Sequence, residues 1–155
     1  MKRRHFNYRF SVAKTPAEVF EKICMVSEWW TTDVEGVIEK LQDEFTVYFG
    51  DSFVKMEVTK MIPGNKMSWL IKNCFWSFLQ NKTEWNATTI IWNIILKEDL
   101  TEISITHVGL SQETECFDIC KEGWGLYVGN SLFQLITEGR GIPFESDLKE
   151  YKLRN

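Results

Sequence analysis

The chain predicts an α+β fold in which a curled antiparallel sheet grips one long helix. Three observations carry this. Apolar residues alternate with polar ones in short stretches spread through the first two thirds of the chain, the signature of half-buried strands. Between the first stretch and the rest, Thr15-Pro16-Ala17-Glu18 has the chemistry of a helix start. The last third is one long amphipathic run, halted by Gly139-Arg140-Gly141-Ile142-Pro143.

In chain order, Phe6, Tyr8, Phe10 and Val12 share one face of a strand, with Asn7, Arg9 and Ser11 on the other. Thr15 at the N-cap, Pro16 at the first helical position and Glu18 three residues after the cap form a capping box, and Val19, Phe20, Ile23 and Cys24 make the apolar face behind it. Ser27 opens a second short helical turn that carries Trp29-Trp30, expected to pin the short helices to the sheet edge. A meander follows. Phe45, Val47 and Phe49 turn at Gly50-Asp51 into Val54, Met56 and Val58; Pro63-Gly64-Asn65 turns into Met67, Trp69 and Ile71; Ile90, Trp92, Ile94 and Leu96 turn at Glu98-Asp99 into Ile103, Ile105 and His107. With the first strand this makes a sheet of about six strands. Residues 73–87 break the pattern. The run Cys74-Phe75-Trp76-Ser77-Phe78-Leu79 is too apolar for a solvated loop, and reads as a strand end, a lid over a cavity, a partner patch, or a loop folded onto the core. Ser111 is the expected N-cap of a helix of about 26 residues. One face of that helix collects Phe117, Cys120, Trp124, Tyr127, Val128, Ser131 and Leu135. Its glycines, each costing about 0.5–1 kcal/mol relative to Ala, imply that space is being kept for sheet, loop or ligand.

At 155 residues, 44% apolar and 14% aromatic, residues 1–155 are expected to form one domain, with a core of about residues 5–143 and a charged, frayed tail from 144 to 155. A net charge of −4 argues against nucleic-acid binding, which requires a basic face. The basic start Met1-Lys2-Arg3-Arg4-His5 is followed by no apolar run, and no stretch approaches the roughly 20 apolar residues of a membrane helix, so a cytoplasmic protein without secretory signal or stable membrane insertion is expected. Cys24, Cys74, Cys116 and Cys120 read as reduced, buried small apolar residues. Cys116 and Cys120, four apart, could instead form a redox pair or half a metal site; with only His5 and His107 to complete it, neither a metal nor another cofactor is expected.

Several motifs resemble the START-like superfamily: Thr15-Pro16-Ala17-Glu18-Val19-Phe20, Trp29-Trp30, Glu84-Trp85, Thr106-His107-Val108-Gly109-Leu110, Gly123-Trp124 with Tyr127, Ser131-Leu132, and Gly139 through Pro143. Within it they are similar to the branch named for the activator of heat-shock protein 90 ATPase. The resemblance spans residues 5–143. It implies a helix-grip fold with a hydrophobic cavity between sheet and C-terminal helix. It does not imply one function, since lipid carriers, polyketide cyclases, hormone receptors and a co-chaperone domain share the fold.

No phosphate-binding glycine loop, nucleophile elbow or His-Glu-x-x-His motif is present. The leading expectation is a carrier of a small hydrophobic molecule, of lipid, sterol or aromatic polyketide class, acting as a monomer or weak dimer. Phe117, Cys120, Trp124, Tyr127 and Ser131 would form one wall of its cavity, and Trp69, Trp92, Met56 and His107 the other. Tyr127 and Ser131, one turn apart, could orient a ligand oxygen. Two alternatives are kept: a stress-response protein with a chaperone as partner, acting through an outer surface such as residues 74–79, and a cyclase- or aromatase-like enzyme in which His107 moves a proton. The competing structural reading of His107 is a buried neutral ring that fixes the corner between the last strand and the long helix.

Overall fold

A computed structural model of the protein describes residues 5–145. The strands are β1 (Phe6–Val12), β2 (Val34–Gly36), β3 (Glu44–Phe49), β4 (Ser52–Ile62), β5 (Lys66–Phe75), β6 (Thr89–Lys97) and β7 (Leu100–Val108). They form one antiparallel sheet in the order β1-β7-β6-β5-β4-β3-β2. Two short helices, α1 (Pro16–Cys24) and α2 (Val26–Trp29), follow β1. After the sheet a single helical rod runs from Phe117 to Glu138: α3 (Phe117–Trp124), a π-helical stretch (Gly125–Leu132) and α4 (Phe133–Glu138).

The alternation read from the sequence sets the register. Phe6, Tyr8, Phe10 and Val12 are buried or half-buried on the helix side of β1, while Asn7, Arg9 and Ser11 are exposed. That strand closes the sheet against β7, with Phe6 opposite His107. The capping box forms as expected: the Thr15 hydroxyl accepts from the Glu18 N–H at 3.1 Å, and the Glu18 carboxylate accepts from the Thr15 N–H at 2.9 Å. Register shifts in the β4–β5 pair, at Lys55/Met56 and Val58/Lys60, bend the two longest strands and help curl the sheet. Lys72 bridges Glu44 and Glu57 on the outer face, a solvated surface.

The expected sheet of about six strands is present, with seven in all; β2 is three residues long and too short to show a period in the sequence. Other expectations are corrected. Ser111 does not cap the long helix, which begins at Phe117; the Ser111 side chain is buried in a preceding turn and accepts from the Glu113 N–H. Cys116 and Cys120 are buried side by side at the start of the helix, their Cα atoms 5.5 Å apart, which fits the redox pair that their spacing allowed; Cys24 and Cys74 stand apart from them. Phe144, assigned to the tail, is part of the fold: its N–H donates to the Trp30 carbonyl and its carbonyl accepts from the Thr32 N–H, both at 2.9 Å. The rest of that tail, residues 146–155, lies outside the described residues.

The concave space between sheet and helices is filled. Trp29, Trp69 and Trp92 are fully buried and meet edge to face, with Trp69–Trp92 at 5.5 Å and Trp29–Trp92 at 5.8 Å. Phe45, Met56, Met67 and Ile105 pack in the same core without exposure. The central cavity expected from the sequence is therefore occupied by side chains, three indoles among them.

Candidate functional site

Open space lies instead at one end of the grip, where the segment after β5 meets the long helix. A pocket of about 230 Å³ is lined there almost entirely by carbon. The helical rod contributes Ile119, Cys120, Gly123, Trp124 and Tyr127; the segment between β5 and β6 contributes Trp76, Phe78 and Trp85; Trp30, Phe49 and Phe144 complete the wall. The rings are in mutual contact. Trp85 stacks on Trp124 at 5.8 Å and meets Trp76 edge to face at 5.0 Å, Trp30 lies 5.2 Å from Trp124, and Phe49 lies 5.7 Å from Trp76 and 5.5 Å from Phe144.

The segment from Trp76 to Thr88 is held in place by polar contacts at both edges. The Glu84 carboxylate accepts from the Glu115 N–H at 2.6 Å and the Cys116 N–H at 3.0 Å, so it caps the start of the long helix from across the chain. The Glu115 carboxylate returns the contact, accepting from the Gln80 and Asn81 N–H groups at 2.8 and 2.9 Å. These backbone donors hold the Glu115 carboxyl below the usual range. Lys82 turns its ammonium onto the Ser77 and Leu79 carbonyls, at 3.0 and 2.6 Å. The segment is thus both a loop folded onto the core, with Trp76, Leu79 and Trp85 buried, and a pocket wall.

The helix glycines fall into two kinds. A Cβ on Gly129 would lie 2.6 Å from the Tyr8 hydroxyl, so this glycine makes room for the end of the Tyr8 ring. A Cβ on Gly123 or Gly125 would meet nothing within 4 Å. Of these two, Gly123 lines the pocket, and a methyl group there would project into space rather than into a neighbour. The π-helical stretch that carries Tyr127 starts two residues later; such departures from α-helical winding occur often beside functional sites.

Three of the sequence-predicted site residues, Cys120, Trp124 and Tyr127, come together in this pocket. Met56, Trp69 and Trp92 sit in the filled core and do not line it. Phe117 is half-buried at the helix start, with Lys121 over its ring. Ser131 is wholly buried and spent: its hydroxyl donates to the Trp29 carbonyl and accepts from the Ile142 N–H, each at 2.7 Å, tying the chain after the helix to α2. Ser131 therefore does not partner Tyr127 around a ligand oxygen. Burial raises the pKa of the half-buried Tyr127 hydroxyl, which stays protonated at neutral pH.

His107 is fully buried and does not line the pocket. The Trp124 indole N–H donates to its Nδ1 at 3.2 Å. An indole can only donate, so Nδ1 is unprotonated and Nε2 carries the hydrogen. Nε2 donates to the Thr88 hydroxyl at 2.9 Å, which passes its own hydrogen to the Trp85 carbonyl at 2.6 Å. The Trp85 ring meets the imidazole edge to face at 4.5 Å. Desolvation drops the His107 pKa to about 3. The arrangement holds one neutral tautomer and locks Trp85 and Trp124 against β7; no ring nitrogen is left to take a proton from a pocket guest.

Sequence reasoning missed Trp30, Phe49, Trp76, Phe78, Trp85, Ile119, Gly123 and Phe144 as pocket lining and Glu84 as the helix cap. Signals that pointed there were the apolar run within 73–87, one of whose readings was a lid over a cavity, and the motifs Trp29-Trp30, Glu84-Trp85 and Gly123-Trp124.

Strand order, curl and covering helix define the helix-grip fold. No protein-family model matches the chain, and no curated protein is similar to it in sequence. Solved structures are similar in shape. The Aha1 dimer from Colwellia psychrerythraea superposes with a TM-score of 0.72 at 20% identity, over 89% of this chain and 99% of that one. DynU16, from the dynemicin biosynthetic locus, gives 0.69 at 17% identity over 88% of this chain, which spans only 48% of DynU16. CalU16 from Micromonospora echinospora gives 0.61 at 11% identity, over 86% of this chain and 76% of that one. At these identities the likeness concerns the fold. No helix of the described residues is long and apolar enough to cross a membrane.

Proposed function

We propose that the protein binds a small hydrophobic molecule in the aromatic pocket between residues 76–85 and the long helix. The observation that carries this reading is an open, ring-lined space of about 230 Å³ beside a helical glycine whose methyl group would meet nothing. Affinity would come from apolar burial and ring contacts. The volume is below the ~300–1,000 Å³ of pockets for drug-sized ligands, which favours a bicyclic aromatic or a short acyl chain over a sterol or a whole lipid. A cyclase-like reaction has no support in the site, because His107 is sealed and the lining offers no acid–base pair.

The test is an amide chemical-shift titration of the labelled protein against fatty acids, sterols, flavonoids and aromatic polyketides. Saturable shifts on residues 119–127 and 76–85 are expected for one chemical class. A flat response across the panel would contradict the reading.

A second reading, a chaperone-associated interaction protein, draws on the likeness to the Aha1 dimer and on Phe78 and Ile119, which are 50% and 56% exposed beside the pocket. It predicts retention of the heat-shock chaperone in a pull-down and stimulation of its ATPase; absence of both removes it.

A further inference from the structure

Cys116 and Cys120 meet at the first turn of the long helix, where the rod is fastened to the mouth of the pocket. Their Cα atoms are 5.5 Å apart, inside the window in which two cysteines can be bridged without moving the backbone. The turn between them is closed by the Cys120 N–H, which donates to the Cys116 carbonyl at 2.7 Å. Cys116 is the N-cap of the helix, and its side chain gives that helix no hydrogen bond. The cap comes instead from Glu84, whose carboxylate accepts from the Cys116 N–H at 3.0 Å. Glu115, next in the chain, holds the Gln80 and Asn81 N–H groups in return. The pair therefore sits at the point where residues 76–88 are tied to the helix. Cys116 is fully enclosed, whereas Cys120 is 7% exposed and borders the pocket. Cys24 and Cys74 have no cysteine partner.

We propose that Cys116 and Cys120 are a reversible dithiol–disulfide couple that sets how firmly the mouth is closed. The oxidant is a low-molecular-weight disulfide. The Cys120 thiolate attacks one of its sulfurs, a mixed disulfide forms at Cys120, and one small thiol leaves. The Cys116 thiolate then attacks the Cys120 sulfur, which closes the protein bridge and releases the second small thiol. Two electrons pass from the protein to the oxidant, and the two protons lost by the cysteines are matched by those taken up by the released thiols. An excess of small thiol runs the same steps backward. Bridged, the first turn loses freedom to unwind, and the contacts it makes through the Cys116 N–H and the Glu115 carboxylate are steadied with it. Reduced, the turn is held by the Glu84 cap without a bridge, so the mouth opens more often. The couple acts without a guest, so it goes beyond the binding reading and is tested apart from it.

The experiment equilibrates the folded protein with 2-hydroxyethyl disulfide and 2-mercaptoethanol at several ratios. Free thiols are capped by alkylation and located by peptide mass spectrometry, and amide hydrogen exchange is recorded for the bridged and the reduced forms. The expected result is one protein bridge, Cys116 to Cys120, that rises and falls with the ratio while β6 and β7 stay protected. Exchange in residues 76–88 and 115–120 should be about tenfold slower in the bridged form. Cys116→Ser keeps the attacking sulfur and loses the resolving one, so it should retain a mercaptoethanol adduct on Cys120. Cys120→Ser should gain none on Cys116. An adduct on Cys116 would overturn the order of attack. No bridge at any ratio, or a bridge that excess thiol removes only after β6 and β7 unfold, would overturn the proposal. Equal exchange in the two forms would overturn the link to the mouth. No guest is added, so a flat titration of the pocket would remove the binding reading and leave this couple standing.

Discussion

Two tryptophan-rich regions of this molecule have opposite outcomes. Under the middle of the sheet, Trp29, Trp69 and Trp92 close every gap. At the mouth, Trp30, Trp76, Trp85 and Trp124 stand around a pocket of about 230 Å³. Residue type does not distinguish the two. What differs is the supply of neighbours. In the middle, adjacent strands present inward side chains every second residue, and α1 and α2 lie above them, so rings meet rings on all sides. At the mouth one wall is a segment without regular structure and the other is a helix that carries a glycine, so the packing stops short. Ring-rich sequence makes a core where the backbone is regular and a pocket where it is not.

The largest effect should come from the filled region. Trp92→Ala should cost about 3–5 kcal/mol in denaturant unfolding, and Trp69→Ala about the same, because each leaves a void that neighbouring strands cannot close. A loss below about 1 kcal/mol would mean that this interior is not packed as described.

Next is the joint between the regions. His107 has a folded pKa of about 3 against roughly 6.5 when unfolded, so the unfolded state takes up the proton first as pH falls. Its contribution is therefore intact above about pH 6.5 and lost toward pH 3, at up to ~1.4 kcal/mol per pH unit. Between pH 6.5 and 5, above the window of the carboxylates, the wild type should lose stability steeply and His107→Gln should show a flatter limb. Equal slopes would contradict the sealed neutral ring.

Smaller again is the clasp at the mouth. Glu84→Ala removes the acceptor for the Glu115 and Cys116 N–H groups, and should cost about 1–2 kcal/mol, in the range of a lost helix cap. Hydrogen exchange should rise in residues 76–88 and 115–119 while β6 and β7 stay protected. A uniform rise across the sheet would mean that Glu84 supports the whole fold rather than the mouth.

The smallest change separates the pocket from the helix that frames it. Gly123→Ala and Gly125→Ala should each stabilise by about 0.5–1 kcal/mol, because an added methyl meets nothing in either case. Only Gly123→Ala should weaken binding of a pocket guest. Equal effects of the two on affinity would detach Gly123 from the site.

The same contrast explains what could be read from the sequence. Alternation with a period of two located the inward faces of β1 and of β3 through β7, and Thr15-Pro16-Ala17-Glu18 placed α1, because these signals are local. The three-residue β2 had no period to show. Trp29 ends a four-residue helix and Trp30 follows as its C-cap, so no pattern could tell the core ring from the one that also reaches the pocket. Glu84 caps a helix that starts more than thirty residues away, and Trp76 and Trp85 reach the pocket through the shape of an irregular segment. For His107, strand parity correctly gave an inward side chain. The hydrogen bonds from Trp124 and to Thr88 that fix its tautomer exist only in the assembled fold.

The central claim is that a guest enters the mouth and not the interior. The seven tryptophans report on it together in one ¹H–¹⁵N spectrum of their indole N–H groups, recorded while tetralin is added. The predicted result is saturable movement of Trp30, Trp76, Trp85 and Trp124, with Trp69 and Trp92 unmoved. Movement of Trp69 and Trp92 would place the guest under the sheet, and a spectrum without change would leave the pocket empty; either contradicts the account.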